Sequence, residues 1–115
     1  MSHKTRLRAL SVGQLRARRS RLVRTVPDLR ATLRGSLQRQ MRRCGKAECR
    51  CADGELHGPY MYVSVRAGSR RRLLYIPAEV VDVVARHVEA TGRIEAALAE
   101  ISAINLELLA RGELA

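Results

Sequence analysis

The residues best suited to chemistry are three cysteines and one histidine. They are Cys44, Cys49, Cys51 and His57, spaced Cys-x4-Cys-x-Cys-x5-His. Three thiolates and one imidazole fill a tetrahedral zinc site and leave no position for water or substrate. We therefore expect one structural Zn²⁺ per chain, whose binding supplies much of the folding energy of this segment. Three free thiols beside an unrelated histidine are the alternative. An iron–sulfur cluster is disfavoured because no fourth cysteine is present.

A β-hairpin is predicted directly after the histidine. Residues 60–66 and 70–76 are rich in β-branched and aromatic side chains, and Gly68 and Ser69 between them fit a two-residue type II′ turn. Residues 36–43 alternate weakly and are a candidate third strand. A three-residue loop at the hairpin tip stays open as an alternative, and it would shift the strand register by one residue.

The two-residue turn places all three tyrosines on one face of the hairpin. Tyr62 then lies opposite Tyr75, and Arg66 lies opposite Arg71, with Tyr60 on the same face. Rings interleaved with guanidinium groups are what base stacking and phosphate contact require. Tyrosines also favour strands for purely structural reasons, and that interpretation stays open. The predicted core face carries Met61, Val63, Val65, Leu74 and Ile76.

The charge is distributed unevenly along the chain. Residues 1–72 hold 19 basic and four acidic side chains, whereas residues 73–115 hold three basic and seven acidic ones, within a net charge of +11. This asymmetry is typical of a protein that binds a polyanion, although a GC-rich genome would also enrich arginine. The candidate nucleic-acid-binding residues are Arg16, Arg18, Arg19, Arg42, Arg43, Lys46, Arg50, Tyr60, Tyr62, Arg66, Arg70, Arg71, Arg72 and Tyr75.

Helical periodicity precedes the cysteines. We expect a flexible basic arm over residues 1–10 and a helix over 11–34, which begins with a capping box at Ser11 and is kinked, or divided, near Pro27. Gly35 is expected to end this helix as its C′ residue. Arg19 occupies an otherwise apolar position of the helix, which suggests exposure for binding.

A second helix is predicted over 78–110, with an apolar heptad pattern and Asn105 at an a position. It pairs either with the N-terminal helix of the same chain or with a second chain in a homodimer. The candidate oligomerisation residues are Ile94, Leu98, Ile101, Asn105 and Leu108. Gly92 is expected to weaken the helix near its middle.

These elements predict an α+β fold in one domain over residues 11–115. Two long amphipathic helices, antiparallel or coiled-coil-like, flank a head over residues 36–77. The head is a zinc-stabilised β-hairpin or three-stranded antiparallel sheet. No run of 18 apolar residues is present, and the first residues lack the apolar stretch of a secretion signal. We therefore expect a cytoplasmic protein that does not associate with membranes.

The stretch from Gly35 to about Leu109 resembles a family of short uncharacterised prokaryotic and mobile-element proteins. The resemblance rests on the motifs Gly35-Ser36, Arg42-Arg43-Cys44-Gly45-Lys46, Cys49-Arg50-Cys51, His57-Gly58-Pro59-Tyr60 and Ile76-Pro77, followed by a long helix. It implies a shared fold and a shared metal site at the cysteines and His57. It transfers no activity, but it favours a DNA-related role.

Two functions follow from this pattern. The first is a zinc-stabilised protein that binds nucleic acid through phosphate contacts, with DNA favoured over RNA. Such a protein would act in mobile elements or in gene regulation and would associate with the nucleoid. The alternative is a coiled-coil adaptor or oligomerisation subunit that docks an acidic protein partner. We expect no enzyme, because paired carboxylates, a nucleophile with its base and a phosphate-binding glycine loop are all missing from the sequence.

Overall fold

The computed structural model describes residues 3–43, 45–50 and 54–115. The chain is an α+β protein with a three-stranded antiparallel sheet and a long C-terminal helix. The helices are α1 (His3–Arg8), α2 (Val12–Arg24) and α3 (Val81–Ala110); the strands are β1 (Ser36–Arg42), β2 (His57–Ala67) and β3 (Arg70–Ile76); and 3-10 turns span Leu29–Ala31 and Ala78–Val80. The described chain divides into two compact units. The helical unit contains the residues up to Leu29 and Gly92–Ala115, and the sheet unit contains Arg30–Thr91.

The helical unit has a small aliphatic core. Leu7, Leu15, Ile104 and Leu108 are fully buried and form one cluster. Because Leu7 belongs to α1 and Leu15 to α2, the same cluster fixes both short helices against the end of α3. The first ten residues, for which the sequence predicts a flexible arm, therefore contain a helix with a buried leucine.

Specific caps are present at the start of α2 and at the end of α3. The predicted capping box is present: the Gln14 amide donates to Ser11 Oγ at 3.1 Å, and the Ser11 amide donates to Gln14 Oε1 at 2.8 Å. At the other end, α3 ends at Ala110, and Gly112 just beyond it has φ +71°. The Glu113 amide then donates to the Leu108 carbonyl at 2.8 Å. This left-handed glycine and back-directed hydrogen bond are a Schellman motif.

The prediction of two long helices is wrong, because α3 is the only long helix among the described residues. The segment 11–34 contains α2, which ends at Arg24, and a separate 3-10 turn. Pro27 explains the early end, since its ring disfavours a helical conformation at the residue before it. Gly35 does not cap a helix. It precedes β1, where a Cβ atom would lie 2.9 Å from the Ser64 carbonyl oxygen, so only glycine fits this approach.

The hairpin has the predicted register. Tyr62 pairs with Tyr75, and the strand predicted over residues 70–76 coincides with β3. Gly68 has φ +66°, and no described residue other than glycine has a positive φ, so Ser69 keeps an ordinary backbone conformation. Only the first turn residue is left-handed, as the type II′ turn requires.

Strand β2 begins at His57, three residues earlier than predicted. The register shifts between Gln40 and Arg42, so that Arg42 pairs with His57 across a β-bulge. Gly58 lies at this bulge with φ +130°, and a Cβ atom there would lie 2.9 Å from the Gln40 carbonyl oxygen. The bulge therefore depends on glycine at this position.

Val63 and Ile76 are buried on the predicted core face of the sheet, but Leu74 on the same face is partly exposed because β3 is an edge strand. The chain leading into β1 is held to the first part of α3. The Leu33 amide donates to Thr91 Oγ1 at 2.9 Å, and Thr91 is buried. These contacts fix the start of β1 within the sheet unit.

Helix α3 has 30 residues and is about 45 Å long at 1.5 Å per residue. It continues through Gly92 without interruption. Within the described part of the chain, no helix is both long and apolar enough to cross a bilayer.

Candidate nucleic-acid interface

Strand alternation gathers the tyrosines on one side of the sheet. Side chains of directly paired residues share a face, so the register defines the set. We call it the tyrosine face; it consists of Ser36, Gln38, Gln40, Arg42, Tyr60, Tyr62, Ser64, Arg66, Arg71, Leu73 and Tyr75. Three arginines and three tyrosines therefore lie on a single surface, mostly with polar side chains between them.

Arg42 and three tyrosines form the centre of this face. The Arg42 guanidinium carbon lies 5.7 Å from the ring centroid of Tyr60 and 5.0 Å from that of Tyr62, within cation–π range. The Tyr62 and Tyr75 rings meet edge to face, with centroids 5.7 Å apart. Tyr62 is 9% exposed, whereas Tyr75 is 56% exposed. Tyr75 is thus the tyrosine that offers most ring surface to a partner.

The sheet carries positive charge without compensation from its own strands. Strands β1, β2 and β3 contain six arginines and no acidic residue. Among the described residues, no carboxylate lies within ion-pair distance of Arg42, Arg66 or Arg71. A surface of this kind attracts a polyanion.

The loop before β2 brings two of the four predicted zinc ligands together. Cys49 Sγ lies 2.9 Å from His57 Nε2. Two ligands of a tetrahedral zinc ion lie about 3.5 Å apart, so these two atoms are within reach of one ion. Cys44 and Cys51 lie outside the described residues. Within the described residues, no group of three or more potential ligands is found.

A cavity of about 320 Å³ lies where this loop meets the tyrosine face. It is lined by Arg42, Arg43, His57 and Tyr60. The bulge creates this juxtaposition because it pairs Arg42 with His57. Lys46 and Arg50, two further predicted binding residues, are exposed on the neighbouring loop.

Two predicted binding residues lie on the opposite face of the sheet. Arg70 pairs with Ala67 and Arg72 pairs with Val65, so alternation directs both away from the tyrosine face. The three consecutive arginines of β3 are therefore not one patch. Only Arg71 joins the tyrosines.

The predicted binding residues of α2 belong to the helical unit, where each has a partner. Arg18 Nε donates to Glu100 Oε1 at 2.7 Å, and Arg19 Nη1 donates to Asn105 Oδ1 at 2.7 Å. Arg16 donates to the Glu113 carbonyl at 3.1 Å. These contacts link α2 to α3 and give the three arginines a structural role.

The candidate oligomerisation residues are divided between this unit's interior and its surface. Leu108 is in the core, Asn105 accepts from Arg19, and Ile94 and Ile101 are half-buried. Leu98 is 59% exposed.

Sequence reasoning missed three residues beside the predicted set. Arg34, Ser36 and Ser64 line a concavity together with Arg66 and Arg71. Strand alternation assigns Ser64 to the same face as Arg66 and Arg71, so the predicted register already places it beside them. The position of Arg34 beside these residues could not be predicted in the same way, because the sequence predicts a helix at Arg34.

Comparisons with known proteins give a single assignment. A family model described as a domain of unknown function, DUF6788, matches residues 13–86, which include all of α2 except its first residue, the whole sheet and the start of α3. No curated protein and no solved structure matches the chain.

Proposed function

The chain belongs to the DUF6788 family, and because that family has no assigned function we propose one from the chemistry of the sheet. We propose that the protein is a zinc-stabilised nucleic-acid-binding protein. Its tyrosine face contacts phosphates through arginine and stacks bases on exposed tyrosine. DNA is the favoured ligand because of the sequence resemblance to mobile-element proteins, and gene regulation is the corresponding biological setting.

The observation that carries this proposal is the Arg42–tyrosine cluster on a sheet face without carboxylates. The Arg42 guanidinium lies within cation–π range of the Tyr60 and Tyr62 rings, and the exposed Tyr75 ring lies on the same face. Arginine forks match phosphate geometry, and aromatic rings accept any base because every base has a π-face.

Zinc enters this proposal as a structural ion. Cys49 and His57 are close enough to share an ion, and both are donors that zinc prefers. Cys44 and Cys51 would complete the coordination. When bound, the ion would cross-link the cysteine loop to the first residue of β2, next to Arg42, and thereby support the tyrosine face.

The test compares two arginines of the same strand. Arg42→Gln removes a charge from the tyrosine face, and Arg39→Gln removes the same charge from an exposed position on the opposite face. Binding of a fluorescent single-stranded DNA oligonucleotide is measured by polarisation from low to moderate salt. Loss of one phosphate contact lowers the slope of log K against log salt by about 0.7. We expect this change for Arg42→Gln and an unchanged slope for Arg39→Gln; equal slopes for the two variants contradict the proposal.

A second measurement separates the proposal from the adaptor alternative. The protein is purified without nuclease, and the bound material is identified by its absorbance at 260 nm and by protein staining. Co-purified nucleic acid supports the proposal. A stoichiometric acidic protein, with no nucleic acid and no DNA binding at low salt, establishes the adaptor instead.

A further inference from the structure

A concavity of about 500 Å³ lies at the hairpin end of the tyrosine face. Its lining residues are Arg34, Gly35, Ser36, Ser64, Arg66, Gly68 and Arg71. Three guanidinium groups and two hydroxyl groups thus surround one space, and its charged lining residues are all arginines. This volume lies within the range of small-molecule sites and is large enough for a phosphate with its sugar.

Two of these arginines face each other across the strands. Arg66 and Arg71 are direct register partners, and like charges in this position repel. Neither has a carboxylate within ion-pair distance among the described residues. An anion between the two guanidinium groups would convert this repulsion into two attractive contacts.

The floor of the concavity is polar and fixed. Ser64 is 6% exposed, and its Oγ accepts a hydrogen bond from Arg71 Nη1 at 3.4 Å. Ser36 is the register partner of Ser64, so the two side chains are neighbours on the same face. Gly35 and Gly68 leave the neighbouring backbone without side chains. The site therefore combines charge with short donors at its base, as phosphate sites do.

We infer that this concavity binds the terminal phosphate of a nucleic-acid strand. A terminal phosphate carries a charge of about −1.5 to −2 and three free oxygens. A phosphate within the nucleic-acid chain carries one charge and has two free oxygens, which leaves more of the charge of Arg66 and Arg71 unmatched. This inference rests on the proposed function: the ligand is still a nucleic acid that binds the tyrosine face, and its terminal phosphate is the group held in the concavity.

The experiment uses one oligonucleotide sequence in three forms: with a 5′-phosphate, with a 3′-phosphate and with hydroxyl groups at both ends. Polarisation at constant salt gives the affinity of the full chain for each form. Charge-assisted hydrogen bonds to one phosphate predict about tenfold tighter binding of one phosphorylated form over the hydroxyl form. Arg71→Gln should remove this preference, and Arg72→Gln, which alters the opposite face of the same strand, should keep it.

Inorganic phosphate provides a readout that does not depend on the oligonucleotide. It should raise the melting temperature of the native protein and of Arg72→Gln, but not that of Arg71→Gln or Arg66→Gln. If oligonucleotides bind equally well in all three forms, the inference is wrong and the proposed function stands. If phosphate raises the melting temperature selectively while no oligonucleotide binds, the concavity is an anion site and the proposed function is wrong.

Discussion

Replacing Tyr75 by leucine tests whether the exposed ring stacks on a base. Leucine keeps an apolar side chain in β3, and the main structural loss is the edge-to-face contact with Tyr62. That contact is worth about 0.5–1.5 kcal/mol, a small part of the roughly 5–15 kcal/mol that stabilises a domain. The variant should therefore stay folded. Loss of one stacked base costs about 1–3 kcal/mol, which is about a 5- to 160-fold increase in Kd.

The salt dependence distinguishes stacking from charge. Tyr75→Leu removes no charge, so Kd for a single-stranded oligonucleotide should rise at every salt concentration while the slope against log salt stays that of the native protein. Tyr75→Phe keeps the ring and should bind like the native protein. Circular dichroism checks that both variants are folded. A folded Tyr75→Leu variant with native affinity refutes the reasoning, because the exposed ring then contributes nothing to binding.

Three further predictions concern stability and metal content. Gly92→Ala should raise the free energy of unfolding in urea by about 1 kcal/mol, because Gly92 lies inside α3 with open space around its Cα. Ile104→Ala should lower the free energy of unfolding by about 2–5 kcal/mol, because the side chain is fully buried. Leu98→Ala, at an exposed position, should change it by at most about 0.5 kcal/mol. Similar values for the two variants would contradict the assigned core. Elemental analysis should find one zinc per native chain and less than one in Cys49→Ser, and a metal-free native protein would remove zinc from the proposal.

The sheet was predictable because its determinants are local. Gly68-Ser69 selects a two-residue turn, and once that turn is set, a period of two assigns every side chain of β2 and β3 to a face. The pairing of Tyr62 with Tyr75 follows from this alone. The bulge at Gly58 was not predicted, since an extra residue in one strand depends on which strand pairs with it.

The helices were less predictable because their contacts lie far apart in sequence. The heptad pattern assigns Leu98 and Asn105 to the buried row of α3, but the structure buries Ala97 and Ile104 instead. One residue is a rotation of about 100° around a helix, and alanine contributes little to a hydrophobic pattern. Asn105 accepts a hydrogen bond from Arg19, which lies 86 residues away in sequence. Pro27 predicts either a kink or a division of the first helix, and in the structure α2 ends at Arg24, before the proline.

The β-bulge connects the proposed metal site to the proposed interface. Arg42 and His57 are register partners there. His57 lies against Cys49 on one side, and Arg42 lies over Tyr60 and Tyr62 on the other. An ion that holds the cysteine loop to His57 therefore restrains the strand segment that positions the Arg42 guanidinium. Tyr75 lies on β3, whose register is set by its own turn, so the metal should matter more for phosphate contact through Arg42 than for stacking on Tyr75.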